Sequence, residues 1–250
     1  MVKNYDLKII KIFLIFFLTL QIGFWYKTES IKPKLGLLPK IPNKYLVKAL
    51  SFGDEEFYFR TQAFKIQNAG DTFGRFSSLQ DYDYKKLYKW FLTLDELDSK
   101  SNYVPSLATY YYAQTQRAED TRYIIDYLEQ HADREPESKW WWYYQATNIA
   151  NYILKDQDRA LEISYKLKDI KADIPMSARQ LSAIMHKARG EDCEAIMLIN
   201  EIAEDYEKSG EDRKLTDAQL NYMQYFIKKR LDSLNEKNFN VSKCLKNNGG

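Results

Sequence analysis

The chain has 250 residues, with 37 basic and 35 acidic side chains, a formal net charge of +2, 20 Tyr, 13 Phe and 5 Trp, and only 9 Gly and 6 Pro. That length suits one domain or one solenoid with a short extra segment, and so few turn residues argue against an all-β fold. The near-neutral total hides an asymmetry: residues 1–50 hold nine Lys against Asp6 and Glu29, giving +7, and the rest carries −5, the reverse of the basic body a nucleic-acid binder needs, so no nucleic-acid partner is expected.

Residues 1–8 read as a short tail, and residues 9–26 (IIKIFLIFFLTLQIGFWY) as a transmembrane anchor broken only by Lys11, Thr19 and Gln21. As a helix this segment reaches about 27 Å, close to the hydrocarbon thickness of a bilayer. Lys11 sits where its stem can snorkel, and Trp25 and Tyr26 where an aromatic belt belongs. The competing reading is a cleaved signal peptide. It needs small residues at a cleavage site, and this apolar run leads into Gln-Ile-Gly-Phe-Trp-Tyr-Lys, which is bulky. Lysines flank the span almost equally, so charge alone does not orient it. A short tail before a first apolar segment stays inside, which places the bulk of the chain outside the cytoplasm. The localisation expected is a single-pass bacterial inner membrane protein with a periplasmic body.

Residues 27–50 contain Pro33, Gly36, Pro39 and Pro42 and read as an extended linker on or near the membrane. Residues 51–236 form a helical domain. The first helix, 55–68, stops at Ala69-Gly70, where glycine supplies a cap. In residues 84–97, Leu87, Tyr88, Phe91, Leu94 and Leu97 follow an amphipathic stripe. Further helices are expected over 104–115, 121–131, 139–154, 159–167, 177–189 and 191–206. The last, 216–235, opens on a capping box, Thr216-x-x-Gln219. Residues 237–250 are a polar tail.

Asp158-Arg159-Ala160 aligns with Asp192-Cys-Glu-Ala195, and Pro105, Pro136 and Pro175 fall near helix junctions. With Trp142 or Tyr143 early in one helix, Ala150 later in it and Gly190-Glu191 before Ala195, residues 104–206 resemble the tetratricopeptide repeat, whose period is about 34 residues. The resemblance implies an all-α solenoid of antiparallel helical hairpins in which small residues let helices approach closely. The chain is also similar to a group of membrane-anchored bacterial proteins with degenerate helical repeats. Asn68-Ala-Gly-Asp-Thr-Phe-Gly-Arg75, Tyr88-Lys-Trp-Phe-Leu-Thr-Leu-Asp-Glu-Leu-Asp98 and Lys139-Trp-Trp-Trp142 carry that similarity. It implies fold and anchoring and no activity.

No residue pattern calls for catalysis, a metal or a cofactor. His131 and His186 have no ligand at i+4, and His131 near a helix C-terminus suits the dipole. Gly70-Asp-Thr-Phe-Gly74-Arg75 lacks the Gly-Lys-Ser/Thr ending of a phosphate loop and reads as a helix stop and turn. Asp95, Glu96 and Asp98 lack the central Gly of a calcium loop and read as a helix end. Cys193 and Cys244 could pair in an oxidising compartment or stay free. The unusual features are Tyr110-Tyr111-Tyr112 and Trp140-Trp141-Trp142-Tyr143-Tyr144. Successive helical residues point about 100° apart, so these cannot all face one core. Some pack between hairpins. The candidate partner-binding residues are Tyr110, Tyr111, Trp140, Trp141 and Tyr144. The function expected is a membrane-anchored, non-enzymatic scaffold or adaptor with a protein partner. The alternative is a lipid- or glycan-binding accessory module using the same aromatic face.

Overall fold

A computed structural model describes residues 4–29, 36–72, 75–208 and 215–236. The chain divides into two compact units, Met1–Leu37 and Leu38–Gly250. The first contains one helix, α1 (Asn4–Thr28), which begins inside the expected tail and runs two residues past the expected anchor. Residues 9–28 are long and apolar enough to cross a membrane, and none of that surface is buried among the described residues. The hydroxyl of Thr19 donates to the Ile15 carbonyl at 2.8 Å and that of Thr28 to Phe24 at 2.7 Å. Such back-bonding within the helix keeps both hydroxyls satisfied where water is absent.

The second unit is all-α apart from one two-residue ladder. Its helices are α2 (Lys44–Leu50), α3 (Glu55–Gln67), α4 (Tyr84–Leu97), α5 (Tyr103–Tyr110), α6 (Thr121–Asp133), α7 (Pro136–Asn148), α8 (Gln157–Lys168), α9 (Met176–Arg179), α10 (Leu181–Ala188), α11 (Asp192–Lys208) and α12 (Asp217–Glu236). Side chains set the starts. Asn43, Asp54, Asp83 and Asp156 each accept the backbone N–H three residues on, at 2.8–2.9 Å, which satisfies donors a helix start leaves orphaned. Thr216 and Gln219 exchange the reciprocal bonds of a capping box. Gly70 (φ +81°) and Gly190 (φ +78°) follow α3 and α10 in the left-handed conformation, as expected of glycine past a helix end. The Gly70 turn leads into strands β1 (Asp71–Thr72) and β2 (Arg75–Phe76), paired antiparallel. Phe73 and Gly74, part of the motif weighed as a phosphate loop, lie outside the described residues, as does the tail 237–250.

Three expected helices change character partway. The stretch 104–115 leaves α-helical geometry after Tyr110 and tightens into a 3₁₀ turn at Tyr112–Gln114. The stretch 139–154 starts earlier, with Pro136 at the first helical turn, and widens into π-helix over Ile149–Leu154 before Lys155 (φ 63°) ends it. The stretch 177–189 breaks at Gln180, between α9 and α10. The expected linker also differs: residues 44–50 are helical, and Leu38 and Pro39 are pinned to α4. Lys86 donates to the Leu38 carbonyl at 2.7 Å and the Trp90 indole to that of Pro39 at 3.0 Å. Proline spacing does not reveal this, because carbonyls before and within a Pro-rich stretch remain free acceptors.

Packing runs along the chain: α3 on α4, α4 on α6, α6 on α7, α7 on α8, α8 on α10, α10 on α11 and α11 on α12. At one end, buried tyrosine hydroxyls bond backbone carbonyls at the end of α3, just beyond it and after α5. Tyr112 donates to Ile66 at 2.6 Å, Tyr82 donates to Ala69, and Tyr84 donates to Tyr112 at 2.8 Å. All three rings are buried, and a Cβ on Gly70 would collide with the Tyr82 hydroxyl. At the other end, Met176, Ala183, Ala195, Leu198, Ile199, Met223 and Phe226 share a core. Ala160 and Ala195, the positions aligned in the sequence, are both fully buried.

Two outcomes are expected. Ala160→Asp or Ala195→Asp puts a carboxylate where no space or partner exists, costing about 3 kcal/mol or more; an unchanged thermal melt contradicts this packing. Burial pushes the Tyr82 and Tyr84 hydroxyls up to about 12 and that of Tyr112 up as well. The unfolded chain loses these protons near pH 10 and the folded chain holds them longer. Stability is therefore full below pH 10 and falls as pH rises from 10 through 12. Melts across pH 8–12 with absorbance at 295 nm test this, and a flat profile above pH 10 contradicts it.

Candidate functional site

Trp141 and Tyr144 lie three residues apart on α7 and share a face. Their rings stack at 5.3 Å with a 10° interplanar angle. Trp140 meets Trp141 edge-on at 5.6 Å, and the Trp141 indole donates to the Tyr110 hydroxyl, at the end of α5, at 3.2 Å. Tyr110 is 57% and Trp141 38% exposed. Four of the five residues singled out in the sequence thus adjoin in one aromatic strip, in which Tyr110 and Trp141 are exposed and Trp140 and Tyr144 half-buried. Tyr111 is exposed too, but its ring packs edge-on against buried Tyr112 at 4.9 Å.

The two aromatics between them point inward and hold the strip in place. Trp142 packs edge-on against His131 at 6.2 Å. The Tyr143 hydroxyl donates to Asp133 at 2.6 Å, and the Lys166 ammonium lies over its ring, 5.3 Å from the centroid. Burial, and then Asp133, raise the Tyr143 hydroxyl above its usual range, so it remains a donor.

Beneath the strip is a polar network that the sequence reading missed. Asp95 on α4, 1% exposed, receives the Tyr127 hydroxyl at 2.9 Å and faces His131 Nδ1 at 2.7 Å. Arg134 donates to the Asp95 backbone carbonyl at 2.9 Å. Burial first, and then Asp95, push the Tyr127 hydroxyl well up. His131 lies in the last turn of α6, as expected, but it is fully buried and its Nδ1 is bonded to Asp95 inside the core. One sequence signal existed. Asp95 lies four residues after Phe91 on the apolar stripe of α4, and His131 four after Tyr127 on that of α6. A carboxylate and an imidazole on inward stripes need each other.

A second chain of polar groups joins α8, α10 and α11. Tyr165 meets His186 Nε2 at 2.6 Å, and His186 Nδ1 meets Glu191 at 2.6 Å. Arg189 donates to Glu191 at 2.8 Å and also to Asp158. Arg189, then His186, hold the Glu191 carboxyl below its ordinary value. Burial raises the Tyr165 hydroxyl, which keeps it protonated and unsuited to nucleophilic attack. This chain borders a cleft of about 590 Å³ lined by Glu119, Arg122, Leu154, Lys155, Asp156, Gln157, Asp158, Arg189 and Glu191. Arg122 pairs with Glu119, and Arg189 with Asp158 and Glu191, so most of the cation charge is spent internally. The walls are too polar for a lipid tail. Among the described residues no group of three or more His, Cys, Asp or Glu could hold a metal ion.

No protein-family model matches the chain, and no match emerged among curated proteins or solved structures.

Removing one partner of the buried pair exposes the cost of the other. Asp95→Ala should destabilise the body by about 3–5 kcal/mol, and Asp95→Leu combined with His131→Leu should recover most of that loss. Urea titration of both variants measures it. Equal stability of Asp95→Ala and the parent contradicts the pairing.

Proposed function

We propose that the chain is a single-pass, membrane-anchored scaffold. Its body is a tetratricopeptide-like solenoid that binds a protein partner through Tyr110, Trp140, Trp141 and Tyr144, with Tyr111 at the margin. The observation that carries the reading is the aromatic strip, whose Tyr110 and Trp141 rings are exposed and whose Trp140 and Tyr144 rings are half-buried. Its rings are fixed by stacking and a hydrogen bond, so they offer apolar area with little ordering cost on binding. The solenoid reading is supported by packing that passes from each helix to its next neighbours and by small buried residues, Ala150, Ala160 and Ala195, at helix contacts.

Anchoring by α1 is supported by its length and apolar surface. Cys193 is disulfide-bonded, and Cys244, the other cysteine of the sequence, lies outside the described residues. A disulfide supports a body on the oxidising, extracytoplasmic side, and with the short basic tail favours the periplasmic face of a bacterial inner membrane.

The test places a photocrosslinking amino acid at Trp141 in the full chain in its membrane, with Glu119 as a reference position. A discrete adduct at Trp141 and none at Glu119 is expected. Tyr110→Ala with Trp141→Ala should weaken capture of that adduct partner about tenfold or more, with an unchanged melt. Identical adducts at both positions, or unweakened capture, contradict the proposal. An adduct with lipid or glycan alone would transfer the strip to the accessory-module reading.

A further inference from the structure

A second apolar surface lies on α2 and the turn after it. α2 sends Val47 into the core, while Tyr45 stands 87% exposed and Leu46 and Leu50 46%. The turn presents Phe52, 93% exposed, with φ +49°. A bulky side chain adopts that region only when its surroundings impose it. Here they do: Gly53 follows at φ +87°, the Asp54 N–H bonds the Ser51 carbonyl at 2.8 Å, and the Asp54 side chain caps α3 through the Phe57 N–H. The fold holds an aromatic ring outward at the tip of a tight turn, and no part of the described protein touches it. On α3, Phe57 and Phe64 are 65% and 63% exposed.

Charge and tether select the occupant. Lys40 and Lys48 are exposed beside this surface, and α2 contains no acidic residue. Of the acidic residues that follow, Asp54 caps α3 and Glu56 pairs with Arg60 at 2.5 Å, while Glu55 lines a groove with Pro42, Val47 and Lys48. In sequence, only residues 29–43 separate α1 from α2. Fully extended they span about 50 Å, so α2 stays close to whatever bilayer α1 enters. A basic, aromatic-tipped short helix tethered at a membrane meets the requirements of an interfacial element.

We propose that α2 and the Phe52 turn dock on the bilayer. Tyr45, Leu46, Leu50 and Phe52 enter the boundary between headgroups and acyl chains, and Lys40 and Lys48 meet anionic headgroups. The proposal rests on the anchor reading of α1 and is separate from the partner strip. Its consequence is a body held against the membrane by a second contact.

The full chain is reconstituted in vesicles of phosphatidylcholine with or without phosphatidylglycerol. The native disulfide stays oxidised, and an environment-sensitive fluorophore is attached at Phe52→Cys, Leu18→Cys or Glu119→Cys. In the anionic vesicles the Phe52 label should emit to the blue and lose several-fold intensity to doxyl-lipid quenchers. The Glu119 label should do neither. Lys40→Glu with Lys48→Glu should reduce quenching at Phe52 several-fold. A water-like, unquenched Phe52 label beside a quenched Leu18 label overturns the docking and leaves the anchor standing. If neither Phe52 nor Leu18 is quenched, the anchor fails and the docking with it. A blue-shifted but unquenched Phe52 label means that protein, a second copy or a partner, covers the turn, and this too overturns the proposal.

Discussion

An apolar helix that no described residue of its own protein covers sets the terms for the rest of this molecule. Every side chain of α1 from Ile9 to Lys27 is exposed, and most are large hydrocarbons or aromatic rings. In water each such residue costs about 1.5–3 kcal/mol relative to burial, far more in sum than the net stability of a domain. Within a bilayer the same surface is at home, and the Thr19 and Thr28 hydroxyls are satisfied by carbonyls of their own helix. The lysines that crowd residues 1–50 contrast with the acidic remainder of the chain.

In that body, polar bonds between distant residues decide which helices meet. The tyrosine hydroxyls at the end of α3, the Asp95–His131 pair between α4 and α6, and the Tyr165–His186–Glu191 chain from α8 through α10 toward α11 each join one layer to the next. Hydrocarbon burial is indifferent to register, whereas a buried carboxylate without its imidazole is not. The same inward turn of Trp142 and Tyr143 that builds the core leaves Trp141 and Tyr144 outside. The strip is a by-product of helical geometry that the neighbouring α5 then steadies through Tyr110.

Local signals were legible in the sequence where the causes are local. The span of α4 follows from its stripe, the start of α12 from Thr216 and Gln219, and the ends of α3 and α10 from Gly70 and Gly190. Trp140, Trp141 and Tyr144 neighbour one another because the 100° step of α7 is fixed by the backbone, whereas Tyr110 joins them from α5. The misses share a different cause. Asp95 and His131 are 36 residues apart, and although each lies on an inward stripe, nothing local says which partner it meets. The break at Gln180 and the π-helical turn after Asn148 carry no Pro or Gly to mark them. α2 was hidden by flanking prolines, although its own residues, Lys44–Leu50, contain none.

Extraction of native membranes with alkaline carbonate tests the central claim most directly, because it strips proteins held by charge or by shallow contact and leaves spanning helices in place. The account predicts that the chain stays with the sedimented bilayer. Its release into the supernatant would contradict the account.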